Sequence, residues 1–172
     1  MPAPRPLVAG LLVGLAVVLQ VTVPPRLGLP GATPDLVLLV VIALALAHGP
    51  GFGVALGFGA GLLLDLVPPA AHEIGRWALV LTLVGYLAGL ARVETRRSVV
   101  VPLVVVAAAS VGSLMLYAGL GALINDPRVT WGRVDGLLPT ALLYDVVLSA
   151  FVLPGVLAVV RRTEPDDPLA LP

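Results

Sequence analysis

The chain has 172 residues, of which 59% are hydrophobic and only 12% charged, with a mean hydropathy of +1.07. A soluble domain carries about 25% charged residues, so this composition describes a membrane protein. Ten arginines, with no lysine, balance ten acids, which gives no electrostatic case for nucleic acid, and the absence of cysteine excludes disulfides, thiolate metal sites and thiol nucleophiles.

Spanning a bilayer takes about 20 mostly apolar residues, with about 17 as a lower limit. Proline, glycine and arginine clusters divide the apolar runs into six predicted helices, at 7–23, 35–48, 51–67, 77–91, 99–124 and 137–160. Together they make one compact all-α membrane domain over residues 1–163, followed by a polar, proline-rich tail, 164–172, with the composition of disorder. The first helix has Arg5 ahead of its apolar core, as a signal peptide does, yet no small-x-small cleavage site precedes the prolines, so it reads as retained. The second is short, since residues 35–48 at 1.5 Å each cover about 21 Å. "HGPG", 48–51, has room only for a tight turn, so helices two and three form an antiparallel hairpin.

The third helix carries the most regular pattern. Gly49, Gly53, Gly57 and Gly61 recur at every fourth residue, and one further step lands on Asp65, so a helix aligns all five on one ridge. Gly51, Ala55 and Gly59 form a second track beside it. Lipid supplies no hydrophobic drive between helices, which associate where small residues let backbones approach. The ridge is therefore a seam for the protein's own bundle or for a partner helix. Gly85 and Gly89 repeat the spacing once in the fourth helix. Between helices five and six, residues 125–136 form the longest polar loop, in which Arg128, Trp131 and Arg133 are candidates for partner contact and an interfacial anchor is the plainer reading.

Six spans put Arg5, Arg92, Arg96, Arg97, Arg161 and Arg162 on one side, and Arg26, Arg76, Arg128 and Arg133 on the other. The first set clusters hard against helix ends, where the positive-inside bias is strongest, which places both termini in the cytoplasm and Trp77 and Trp131 at the outer interface. Anionic lipid is the expected contact of the cytoplasmic arginines. Asp35, Asp65, Arg76 and Asp145 then converge on the outer leaflet as one polar network, with Asp145 about two turns inside its helix and Arg76, Tyr144 or Ser149 as its prospective partners. A charge at membrane depth costs about 2.5 to 3.5 kcal/mol on insertion scales. Such acids pin helices together, bind a cation or polar solute, or exchange protons in catalysis. No base or nucleophile accompanies them, which favours the structural role. His48 and His72 fall in predicted loops on opposite sides and share no metal, and no nucleotide-binding, nucleophile-elbow or zinc-protease motif stands in a suitable context. No cofactor, metal ligand or catalytic residue is assigned.

The stretch "TPDLVLLVVIALALAHGPGFGVALGFGAGLLLDLVPP", followed by "GRWALVLTLVGYLAGL" in a small six-span chain, resembles the rod shape-determining MreD family. The resemblance runs from Thr33 to Leu90, with Pro34-Asp35, the glycine ridge into Leu64-Asp65-Leu66, and Gly85-Tyr86 as its most characteristic points. It implies a non-enzymatic inner-membrane subunit of the bacterial cell-elongation machinery. The partners it implies are the scaffold protein MreC, the actin-like MreB, and the peptidoglycan synthase pair of RodA with a class B penicillin-binding protein. In that reading small-residue faces hold partner helices or the bundle itself, while the outer loops and Asp65 locate the scaffold. The resemblance also implies a fold similar to the substrate-binding subunits of energy-coupling-factor vitamin transporters. Such a subunit is the alternative function, with the outer polar cluster as a vitamin pocket, although the outer loops offer few aromatic and amide residues to grip a polar small molecule.

Overall fold

The computed structural model describes residues 5–28, 30–67, 75–95, 98, 100–127, 129 and 131–163, without the side chains of Pro25, Trp131 and Arg133. All regular structure among the described residues is helical. Helix α1 (Arg5–Thr22) is followed by a single turn, α2 (Pro24–Leu27), then by α3 (Leu36–His48), α4 (Pro50–Leu66) and α5 (Arg76–Leu90). A second single turn, α6 (Arg92–Thr95), precedes the long helices α7 (Val100–Leu123) and α8 (Trp131–Thr163).

The core sits around α3. Its sequence, LVLLVVIALALAH, is apolar on every side, and residues from Val37 to Leu46 are at most 6% exposed. A helix without a polar face has to be enclosed. Here α1, α4, α5, α7 and α8 all touch it, and these five also touch one another in the cyclic order α1, α4, α5, α7, α8. The fold is thus one central helix in a ring of five. Enclosure explains how α3 is so short, because a helix of 13 residues, about 20 Å long, need not match the bilayer when protein covers it. Among the described residues three helices are long and apolar enough to cross a membrane by themselves, over Arg5–Thr22, Val100–Leu123 and Val134–Thr163, whereas α3, α4 and α5 are shorter apolar helices.

Local chemistry sets the turns. Gly49 has φ +94°, a region that side chains disfavour, and its N–H closes α3 on the Ala45 carbonyl at 2.7 Å. Pro50 then opens α4 at the position where a missing N–H costs nothing. Gly49 therefore belongs to the turn and not to the helical ridge, which starts at Gly53. At the far end of α7, Asn125 takes φ 56° while the Asp126 N–H reaches back to the Gly121 carbonyl at 2.9 Å, so the helix closes on a left-handed cap. The chain resumes helical structure at Trp131, six residues ahead of the predicted start at 137. Half of the expected polar loop is helix for this reason. Pro139 and Pro154 lie inside α8, as membrane helices tolerate.

Candidate functional site

The polar residues expected at the outer end sort into two hydrogen-bonded groups, not the one network predicted. The first is built on the α4–α5 hairpin. Gly53 meets the Gly85 carbonyl, Gly57 the Leu81 carbonyl, and Gly61 the Trp77 carbonyl and Ala78 backbone, while Gly89 meets Gly49 and Pro50. A Cβ at any of these glycines would collide with backbone. The two helices run antiparallel in backbone contact, and the ridge is taken up by this chain's own α5.

The next position on that ridge, Asp65, is fully buried. Its carboxylate accepts hydrogen bonds from the backbone N–H groups of Gly75 (2.8 Å), Trp77 (3.1 Å) and Ala78 (3.2 Å). Helix α5 has only Gly75 at its N-cap and no side-chain cap there. Asp65 supplies the missing cap from the neighbouring helix and places its charge at the positive end of the α5 dipole. The glycines bring the helices close, and the acid fixes their relative height. The hydrogen bonds of this enclosed carboxylate run to the chain's own α5.

Arg76, 5% exposed, leads away from this cap toward α7. Its Nη1 pairs with the Asp126 carboxylate at 2.8 Å, and Nε and Nη2 both donate to the Tyr117 carbonyl, at 3.0 and 2.7 Å. The guanidinium lies 3.8 Å from the centre of the Tyr117 ring, which also stacks on Trp77 at 4.6 Å. Gly121 is open enough to admit the guanidinium, since a Cβ there would strike it. Arg76 therefore ties the start of α5 to the end of α7. Trp77 is packed on Tyr117, beyond its expected place as an interfacial anchor.

The second group surrounds the start of α3. Asp35 caps that helix, its Oδ1 accepting from the Leu38 N–H at 2.9 Å, and its own N–H donates to Asp145 Oδ1 at 2.8 Å. Asp145, 3% exposed, also accepts from the Ser110 hydroxyl at 2.7 Å. Gln20 of α1 accepts from the Val37 N–H at 2.8 Å, Thr140 Oγ1 accepts from the Ala32 N–H at 2.9 Å, and the Tyr144 hydroxyl donates to the Pro30 carbonyl at 3.2 Å. Gly31, at φ +80°, lies so close that a Cβ would strike Thr140. Asp145 stands about 21 Å along α8 from its first residue, because the helix starts six residues earlier than expected. Of the partners expected for it, Arg76 pairs with Asp126, Tyr144 bonds Pro30, and the Ser149 hydroxyl donates to Val146 of its own helix. Ser110 and the Asp35 backbone take their place.

Gln20, Ser110, Tyr117 and Asp126 were not singled out in the sequence. Asp126 had a signal, an acid facing a buried arginine across a predicted outer end, whereas Gln20 and Ser110 are single polar residues in apolar runs whose depth only the bundle reveals. His48 ends α3, with Nδ1 3.0 Å from the Leu44 carbonyl and its ring on Phe52. Arg128, His72 and the tail 164–172 lie outside the described residues, and Trp131 and Arg133 are described as backbone only. Among the described residues no group of three or more His, Asp or Glu side chains is placed to hold a metal ion.

These features define a polytopic helical membrane protein whose buried charges hold helices to one another. The rod shape-determining protein MreD family matches residues 5–161, nearly the whole length, and the chain belongs to that family. Its role is accordingly in rod shape determination. No curated protein and no solved structure was found to match the chain.

Proposed function

We propose that this protein is a non-enzymatic inner-membrane subunit of the bacterial cell-elongation complex, scaffolding an MreC-like protein and the peptidoglycan synthases, with an actin-like MreB on the cytoplasmic side. The observation that carries the proposal is the family match over residues 5–161. One transmembrane domain, residues 1–163, crosses the membrane six times with both termini in the cytoplasm. In support, Asp35, Asp65, Asp126, Asp145 and Arg76 hold α3, α5, α7 and α8 in place, and a cavity between α5 and α7 is lined by apolar side chains such as Leu83, Leu87, Val105 and Leu116. A polar vitamin needs convergent polar groups in its pocket, so this arrangement weighs against the transporter-subunit alternative. Partner contact falls to surfaces outside the α4–α5 seam, including the outer segment with Arg128, Trp131 and Arg133.

Gentle crosslinking in native membranes, purification in mild detergent and mass spectrometry test the proposal. Co-purification of an MreC-like protein with cell-wall synthases is the expected result. Recovery of an ATPase transport module in their place overturns it.

A further inference from the structure

The ring of five helices is uneven in height. On one flank, α4 has 17 residues and α5 has 15, about 26 and 23 Å along their axes. On the other, α7 has 24 residues and α8 has 33, about 36 and 50 Å. The hydrocarbon core is about 30 Å thick. Helices α4 and α5 are neighbours in the ring, α7 and α8 likewise, and α4 touches neither α7 nor α8 among the described residues. The short helices are not enclosed as α3 is: Phe58, Leu63, Leu79, Leu83 and Leu87 are exposed on their outer faces. Their polar ends are fixed by side-chain chemistry, with Asp65 and Arg76 anchored at one end and the His48–Gly49 turn, bonded by Arg92 Nη1, at the other. Sliding one short helix along the other to lengthen the face would break the backbone contacts of Gly53, Gly57 and Gly61, and tilting shortens a helix's span further. A short face is otherwise met by snorkelling of its flanking residues, by association with another protein surface or by thinning of the lipid. Asp65 and Arg76 are held in hydrogen bonds, and thinning is the response that needs no further partner.

We propose that the α4–α5 flank gathers a thinned annulus of short-chain phospholipid, so that the protein presents two lipid surfaces of different thickness, short beside α4 and α5 and full-length beside α7 and α8. The proposal rests on the six-span reading given above, since α4 and α5 have to cross the bilayer.

The chain has no cysteine, so single cysteines at two exposed positions, Phe58→Cys on α4 and Phe151→Cys on α8, accept a bimane label without background. The full chain is reconstituted with a nitroxide-bearing phosphatidylcholine as quencher, in competition with dimyristoyl, dioleoyl or dierucoyl phosphatidylcholine. The expected result is that at residue 58 the dimyristoyl lipid displaces the quencher at least about twofold better than the dierucoyl lipid, while at residue 151 the order is flat or reversed. The same chain-length order at both positions overturns the proposal and leaves the six-span reading standing. Quenching at residue 58 by aqueous iodide, with no effect of the lipid quencher, overturns both.

Discussion

Asp65 shows how a single side chain in lipid acts through backbone. Three N–H groups at the start of α5 converge on its carboxylate, where in water the solvent would serve them. Leaving buried donors unsatisfied costs about 1 to 3 kcal/mol each, and a charge at a buried helix N-terminus adds up to about 2 kcal/mol. Asp65→Ala, which removes the acceptor, is expected to lower stability in mild detergent by several kcal/mol. Asp65→Asn keeps one acceptor oxygen, leaves at least one of the three donors facing an amide NH2 and loses the charge, and should cost about 1 to 4 kcal/mol, less than alanine. Thermal unfolding followed by circular dichroism checks the ranking, and equal stability of the two variants would remove the capping role. Asp145 repeats the arrangement at α3, where it holds the Asp35 N–H and the Ser110 hydroxyl. In both cases an acid from one helix holds the start of another.

At the scale of elements, α4 carries two small-residue tracks with opposite surroundings. Gly57 meets the Leu81 carbonyl, whereas nothing lies within 4 Å of the place where a Cβ on Gly59 would sit. Both positions are helical, so alanine improves the intrinsic helix propensity at each by about 1 kcal/mol. Gly59→Ala should therefore be neutral to slightly stabilising. Gly57→Ala has to push two backbones apart, and a loss of about 1 to 3 kcal/mol is expected. Comparing the thermal midpoints of the two variants in one detergent is the measurement. The ring arrangement explains the contrast, because one track faces α5 and the other faces outward beside α1, near Gly10 and Val13.

For the whole molecule, the proposed six-span topology predicts that the α5–α7 connection is cytoplasmic and the α7–α8 connection lies outside. With no native cysteine, Glu94→Cys and Asn125→Cys report on these two sides without further changes. An impermeant maleimide added to right-side-out vesicles is expected to label position 125 and not position 94, and the reverse in inverted vesicles. Labelling of both positions from one side would refute the six-span topology. The height difference between flanks is a property of this scale as well, since no single helix contains it and it follows from which helices are neighbours.

Composition and apolar run length determined by themselves that the chain is a helical membrane protein, because a bilayer admits few backbone structures and charges are costly in it. The four-residue glycine spacing likewise marked the seam, since in lipid such spacing has one strong physical use. The choice between a partner helix and α5 was left to the tertiary structure: a small-residue face fits any backbone, and only the antiparallel return of Leu81 and Gly85 occupies it. The same holds for the charges. Sequence places Asp35, Asp65, Arg76 and Asp145 near one end, but which acid meets which donor depends on helix rotation and depth, and those are set by packing around α3. The enclosure of α3 lies equally beyond the sequence, because a short apolar run reads the same whether lipid or protein surrounds it.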